Sequence, residues 1–180
     1  PQYNSVGCVG AGLANACDSL LALKQAVFEE KRFTMREMLD LLRTDFANAE
    51  AARLYLLNRV PKWGNDDAWA DALGVRIADH YCGTVHGLRN ARGGRVQAAL
   101  FTLTHRLTMG KATGALPDGR RSGDSLAPGV GATLGQDRRG VTGLLGSASK
   151  IDYVKTPNSS VLDVTLHPTA AAGEEGLDAF

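Results

Sequence analysis

Apolar residues recur at intervals of three and four along the first half of the chain. Leu13, Ala16, Cys17, Leu20, Leu23 and Val27 fall on one stripe, and the spacing predicts a helix from about Leu13 to Glu30. A second helix has a full start signal. Thr34 is placed to cap it, Glu37 to complete a capping box, and Phe33 with Met38 to form a hydrophobic staple. Its inward stripe reads Met35, Met38, Leu39, Leu42 and Phe46. A third helix is expected from about Ala49 to Asn58, capped by Asn48 and halted before Pro61. Asn65 is expected to cap a long fourth helix, with Asp66 and Asp67 suiting its positive end. Trp69, Leu73, Ile77, Tyr81, Val85 and Leu88 mark one face of it, and Gly93-Gly94 ends it. Gly74, Gly83 and Gly87 each lower helix propensity by about 1 kcal/mol, so that helix needs close packing or a kink there.

The pattern changes after Gly94. Val96 to Thr104 reads as a strand, and Val161 to His167 alternates as a second one. In the latter, Leu162, Val164 and Leu166 point one way and Asp163, Thr165 and His167 the other. Residues 110–140 hold eight glycines and two prolines with little periodicity, which predicts a long ordered loop. Loops of that length in compact domains are usually functional. Val141 to Lys150 reads as a short helix or turn, and residues 1–12 as a loop. The fold class is therefore α/β, in one unit: a helical portion over about 13–92 and a strand-and-loop portion over about 95–180.

Composition narrows the function classes. The 180 residues are 44% hydrophobic and 22% charged, as in ordinary globular proteins. A net charge of +1 supplies no field toward nucleic acid or a membrane surface. No apolar run approaches the roughly 18 residues of a membrane span, and no secretory leader is visible. Cys8, Cys17 and Cys82 are odd in number and irregular in spacing, which fits reduced cytosolic thiols better than disulfides or zinc. The start at Pro1 and the end at Phe180 both read as cut ends of a longer chain.

Three local features carry candidate chemistry. Gly10-Ala-Gly12 ahead of a helix could cradle a phosphate, but Asn15 stands where a dinucleotide fingerprint has its third glycine, so a close-packed turn is the better reading. His80, His86, His105 and His167 show no ligand-like grouping, and no metal is expected. Pro117-Asp118-Gly119-Arg120-Arg121 is the sharpest signal. Pro117 fixes φ, Asp118 can form an Asx-turn, and Gly119 permits positive φ. The arginines then either clamp an anionic group or pair with a carboxylate of the fold, with the structural role favoured.

Taken in order, Y-N at 3–4, D-S-L-L-A-L-K at 18–24, V-F-E-E-K-R-F-T-M at 27–35, P-K-W-G-N-D-D at 61–67, M-G-K-A-T-G-A-L-P-D-G-R-R at 109–121, G-Q-D-R-R-G-V-T-G-L-L-G-S-A-S-K at 135–150, L-D-V-T-L-H-P at 162–168 and G-E-E-G-L at 173–177 resemble the pyruvate formate-lyase family of glycyl radical enzymes, nearest its diol-dehydratase and choline-lyase branch. Leu116, Trp63 and Cys17 depart from that family's usual residues. The resemblance implies a segment of a ten-stranded α/β barrel, lying between the thiyl cysteine loop and the glycyl radical loop. Cys8 sits in G-C-V-G, with Gly10 where the family's cysteine loop has its carboxylate, so Cys8 is expected to be a loop residue and no catalytic residue is expected here.

By the same resemblance the parent is an anaerobic, cytoplasmic lyase or dehydratase, a homodimer acting on a small molecule. Its glycyl radical is installed by a separate radical S-adenosylmethionine activase, and this segment binds no cofactor itself. One face of the strand over 96–104, either Phe101, Leu103 and His105 or Leu100, Thr102 and Thr104, is expected to line the pocket, with the turn at 117–120 behind it. The candidates are thus Phe101, Thr102, Thr104, His105, Asp118 and Arg120. Two other readings stay open: a non-catalytic scaffold or partner built from this barrel half, and a nucleotide-binding enzyme using the Gly-rich start.

Overall fold

The structure, a computed structural model, describes residues 6–165. Tyr3-Asn4, the end of the strand expected over 161–167 and the segment 173–177 lie outside the described residues.

A strand lies within the stretch, 1–12, that was expected to be a loop. Strand β1 (Val6–Gly10) pairs in parallel with β2 (Val96–Leu100), in register from Val6 opposite Val96 to Gly10 opposite Leu100. Gly7 and Gly10 weaken the strand signal in the sequence. Tertiary contact overrides it: the Tyr81 hydroxyl donates to the Cys8 carbonyl at 2.8 Å. A Cβ on Gly10 would lie 2.9 Å from the Tyr81 ring, so that glycine serves close packing.

Parallel strands need a long crossover, and helices supply it. Helix α1 (Leu13–Ala22) runs without a break into a wider π-helical stretch, Leu23–Glu29, closed by the Glu30 amide on the Gln25 carbonyl at 2.8 Å. Helix α2 (Met35–Arg43) has the expected capping box. The Glu37 amide donates to Thr34 Oγ1 at 3.2 Å, and the Thr34 amide to Glu37 Oε2 at 2.7 Å. Its stripe is narrower than expected, because Met38 and Phe46 are buried while Met35 and Leu39 stay exposed. Helix α3 (Glu50–Asn58) begins after Ala49, without a side-chain cap. Asn48 has φ of 56°, a left-handed turn position incompatible with the extended backbone of an N-cap.

Helix α4 (Ala68–His86) is capped by Asp67, whose carboxylate accepts from the Trp69 and Ala70 amides at 3.0 and 3.1 Å. Asn65, the expected cap, is held elsewhere, and the helix ends at His86 rather than near Gly93. The buried face of α4 is made of small residues, Ala70, Gly74, Ala78 and Cys82, with Asp71 and Val85. The larger Trp69, Leu73, Ile77 and Tyr81 flank it half-buried. This face packs on α1 and on β2, whose Ala98 and Ala99 are equally small.

The strand expected through Thr104 stops at Leu100, and α5 (His105–Lys111) follows. Thr102 is turned into the loop instead of the sheet. The far edge of β2 is bordered by residues 158–161: the Asn158 amide donates to the Ala98 carbonyl at 3.2 Å, and the Leu100 amide to the Ser159 carbonyl at 3.0 Å. Pairing therefore reaches Val161, whose amide donates to the Leu100 carbonyl at 3.3 Å, at the very start of the stretch expected as a strand over 161–167, and the described part of that stretch, 161–165, is not regular strand. Helix α6 (Gly140–Ala148) lies where a short helix was expected, and a 3₁₀ turn, Tyr153–Lys155, follows it.

Gly74 decides how closely α4 can lie on the core. A Cβ there would come 2.3 Å from the fully buried Trp63 ring. Gly74→Ala gains about 1 kcal/mol of helix propensity and incurs an overpacking cost of about 1–3 kcal/mol. The expected outcome is a net loss of stability in denaturant unfolding. A variant as stable as the parent would show that the α4–Trp63 contact yields easily.

Candidate functional site

The loop over 112–139 has no regular secondary structure, so its buried backbone groups need partners from elsewhere. Helix α1 provides two. Asn15 and Asp18 are three residues apart, on one face, and both are buried. Asn15 donates from Nδ2 to Asp118 Oδ2 at 2.7 Å and accepts from the Ala127 amide at 2.7 Å. Asp18 accepts from the Trp63 amide at 2.8 Å and from Thr133 Oγ1 at 3.2 Å. Trp63 in turn donates from its indole to the Val130 carbonyl at 2.8 Å. Lys62 is buried and donates to the Asp118 carbonyl at 2.9 Å.

The turn at 117–120 forms as its residues dictate. The Arg120 amide donates to Asp118 Oδ1 at 2.8 Å, the Asx-turn, and Gly119 takes φ of 92°. A Cβ on Gly119 would also meet Leu57 at 2.6 Å. The two arginines then part. Arg121 reaches α3, donating to Glu50 at 2.7 Å and to the Asp45 carbonyl at 2.9 Å. Arg120 turns inward and is buried. Its guanidinium donates to the carbonyls of Gly110 at 2.7 Å, Gly114 at 2.8 Å, Thr113 at 3.3 Å and Asp124. The carboxylate pairing expected of this turn is made by Arg121 with Glu50, whereas the acceptors of Arg120 are carbonyls of its own loop and of α5. Close backbone approach requires Gly110, where a Cβ would meet the Asp124 carbonyl oxygen at 2.2 Å.

Thr102 belongs to the same system. It accepts from the Gly129 amide at 2.8 Å and donates to the Ala127 carbonyl at 3.3 Å. The structure thus ties Thr102 from outside, and Asp118 and Arg120 from within, to one loop. Asp118 and Arg120 border a cleft of about 310 Å³ with Arg53, Leu57 and Gln136. Phe101 is half-buried, while Thr104 and His105 are exposed at the start of α5. The alternation expected of a strand over 96–104 does not apply beyond Leu100. Asn15, Asp18, Lys62 and Thr133 were not expected in this system. The apolar stripe read from the sequence, with Ala16 and Leu20, passes beside the first two; in the structure Ala16 and Leu20 are exposed and Asn15 and Asp18 are buried.

Burial sets the electrostatics. Asp18 is pushed up to about 7, mainly by removal from water, against the pull of Lys62 and the Trp63 amide. Burial likewise lowers Lys62, against the pull of Asp18 and Asp118. The Cys17 thiol is raised by burial and by Asp18, and it donates to the Ala70 carbonyl at 3.3 Å. Cys82 is also raised by burial. Cys8 is half-buried, with Gly10 two residues on and pressed against Tyr81. None of the three thiols has a carboxylate two positions later. Among the described residues, no group of three or more His, Cys, Asp or Glu is placed to hold a metal ion, and no helix is long and apolar enough to cross a membrane.

The family described as pyruvate formate lyase-like matches residues 1–110. Trans-4-hydroxy-L-proline dehydratase of Clostridioides difficile is 33% identical over 98% of this chain and 22% of its own length. (2S)-3-sulfopropanediol dehydratase of Klebsiella oxytoca is 32% identical, again over 98% of this chain and 22% of its own. The solved structure of the B12-independent glycerol dehydratase from Clostridium butyricum, in its glycerol-bound form, superposes with a TM-score of 0.90 and 39% identity, covering 99% of this chain and 22% of that one. The chain thus spans about a fifth of the length of these relatives.

Two substitutions test the loop's anchoring. Arg120→Lys keeps the charge but cannot reach carbonyls on several sides, so stability should fall by about 2–3 kcal/mol in denaturant unfolding. An intact fold with lost turnover in the enzyme would instead assign Arg120 a substrate contact. The raised Asp18 makes the folded state hold a proton the unfolded chain releases near pH 4. Its contribution is therefore full below pH 4, falls as pH rises toward 7, and levels above that. Asp18→Asn should flatten the stability curve over pH 4–7, a change on the order of a few kcal/mol. An unchanged slope would show that Asp18 does not titrate in that window.

Proposed function

Because the chain belongs to the pyruvate formate lyase-like family of glycyl radical enzymes, in its dehydratase branch, we propose that it is the segment of such an enzyme that walls the reaction chamber of a dehydratase or lyase acting on a small hydroxylated substrate. The observation that carries this reading is the superposition on a glycerol dehydratase over nearly the whole chain. The radical, held on a glycine and passed to a cysteine elsewhere in the polypeptide, supplies hydrogen abstraction from the substrate. The residues of this segment position and enclose.

Within that reading, Thr102, Asp118 and Arg120 are positioning residues, because their polar atoms already serve the loop. Phe101, Thr104 and His105, at the exit of β2, are the candidates to face substrate. The partners are the remaining polypeptide, a second copy of the enzyme and a radical S-adenosylmethionine activase, in an anaerobic cytoplasm. The 180-residue chain alone should be inert.

Anaerobic incubation with the activase and S-adenosylmethionine checks both halves of the proposal. A polypeptide of the relatives' length should develop a glycine-centred doublet in electron spin resonance and dehydrate a diol. The 180-residue chain should develop neither. A doublet on the short chain, or a radical-bearing long chain with no dehydratase or lyase activity on hydroxylated substrates, would overturn it.

A further inference from the structure

A separate cleft of about 280 Å³ lies between the α3–α4 connection and the segment leading into α6. Four cationic side chains line it, Arg59, Lys62, Arg138 and Arg139, against one carboxylate, Asp67. One oxygen of that carboxylate, Oδ1, accepts from the Trp69 and Ala70 amides at the start of α4. Among the described residues, none of the four cations has a carboxylate oxygen within 4.0 Å, whereas Arg53, Arg121, Lys150 and Lys155 all do. Arg138 is steered by Asn58 Oδ1, and Arg139 by the Asn65 carbonyl at 3.1 Å. Lys62 makes one hydrogen bond among the described residues, to the Asp118 carbonyl, although an ammonium carries three donors.

A second observation comes from the cleft's wall. Gln136 is only 8% exposed, and its Oε1 is buried with no partner. Its backbone carbonyl is fixed by Asn65 Nδ2 at 2.7 Å, so the residue is held in place. An orphaned acceptor beside an excess of donors defines a ligand with negative oxygens and one O–H or N–H.

We propose that this cleft holds an oxyanion group of the phosphate type, its oxygens met by Arg59, Lys62 and Arg138 and its hydroxyl donated to Gln136 Oε1. Guanidinium groups suit such oxygens because they offer several N–H groups in a plane. The group belongs to a free phosphate-bearing molecule, because an ionised carboxylate has no proton to donate to Gln136 Oε1.

The test uses the polypeptide of the relatives' length and its double variant Arg59→Gln/Arg138→Gln, both positions being exposed. Calorimetric titration with inorganic phosphate at constant ionic strength should give saturable binding, at least tenfold weaker in the variant and weakened by added salt. That result assigns a free anion. No phosphate binding overturns the proposal, and a variant then melting several degrees lower than the parent would show that the two arginines serve the fold instead.

Discussion

Asn15 ties two distant points of the chain to one helical turn. Its carboxamide has a donor and an acceptor, and both are used: one on the Asp118 carboxylate, the other on the Ala127 amide. One turn along, Asp18 does the same for the Trp63 amide and the Thr133 hydroxyl. These bonds are buried, so removing one partner strands the other at a cost of about 1–3 kcal/mol. The loop over 112–139 has almost no internal ladder to hold it. Its path therefore depends on α1, with Thr102 and Arg120 completing the support from β2 and from within. The first helix, far away in sequence, dictates the shape of the loop.

A size constraint makes that possible. α1 can bring its polar side chains to the loop only because α4 lies close on its other side, and α4 lies close because its inward face is Ala70, Gly74 and Ala78. Trp63 fills the space left at Gly74 and uses its indole N–H on Val130. The same economy of volume operates at the strands, where Gly10 admits the Tyr81 ring and Ala98 and Ala99 admit α4. Apolar packing and polar bonding are thus coupled at one residue: Trp63 is a core aromatic and a link in the polar system.

Sequence periodicity located the helices well, since amphipathic spacing and capping chemistry are local. The capping box at Thr34 and Glu37 is an example, and so is the Asx-turn at Asp118. It failed where a distant partner decides. β1 contains two glycines and shows itself only through its pairing with β2 and the hydroxyl of Tyr81. The cap of α4 shifted from Asn65 to Asp67 because Asn65 is engaged with Gln136 and Arg139 across the fold. β2 ended early because Thr102, a good strand residue, is used to pin the loop. Family membership was legible because it rests on ordered motifs rather than on any one element. The polar system was not, because its members are scattered from Asn15 to Thr133.

The geometry also separates two ways a residue can matter to a reaction. A side chain contacts substrate only with donors or acceptors that the fold leaves available. Arg120 directs all three guanidinium nitrogens to main-chain carbonyls of Gly110, Thr113, Gly114 and Asp124, so any influence it has on turnover runs through the shape of the loop. Thr104 and His105 stand exposed just beyond β2, on a segment fixed by Thr102 behind it. Reactive or binding side chains placed on a stiff base hold their geometry better than those on a free loop. The buried polar bonds at Asn15, Asp18, Thr102 and Arg120 supply that base beneath the exposed Thr104 and His105.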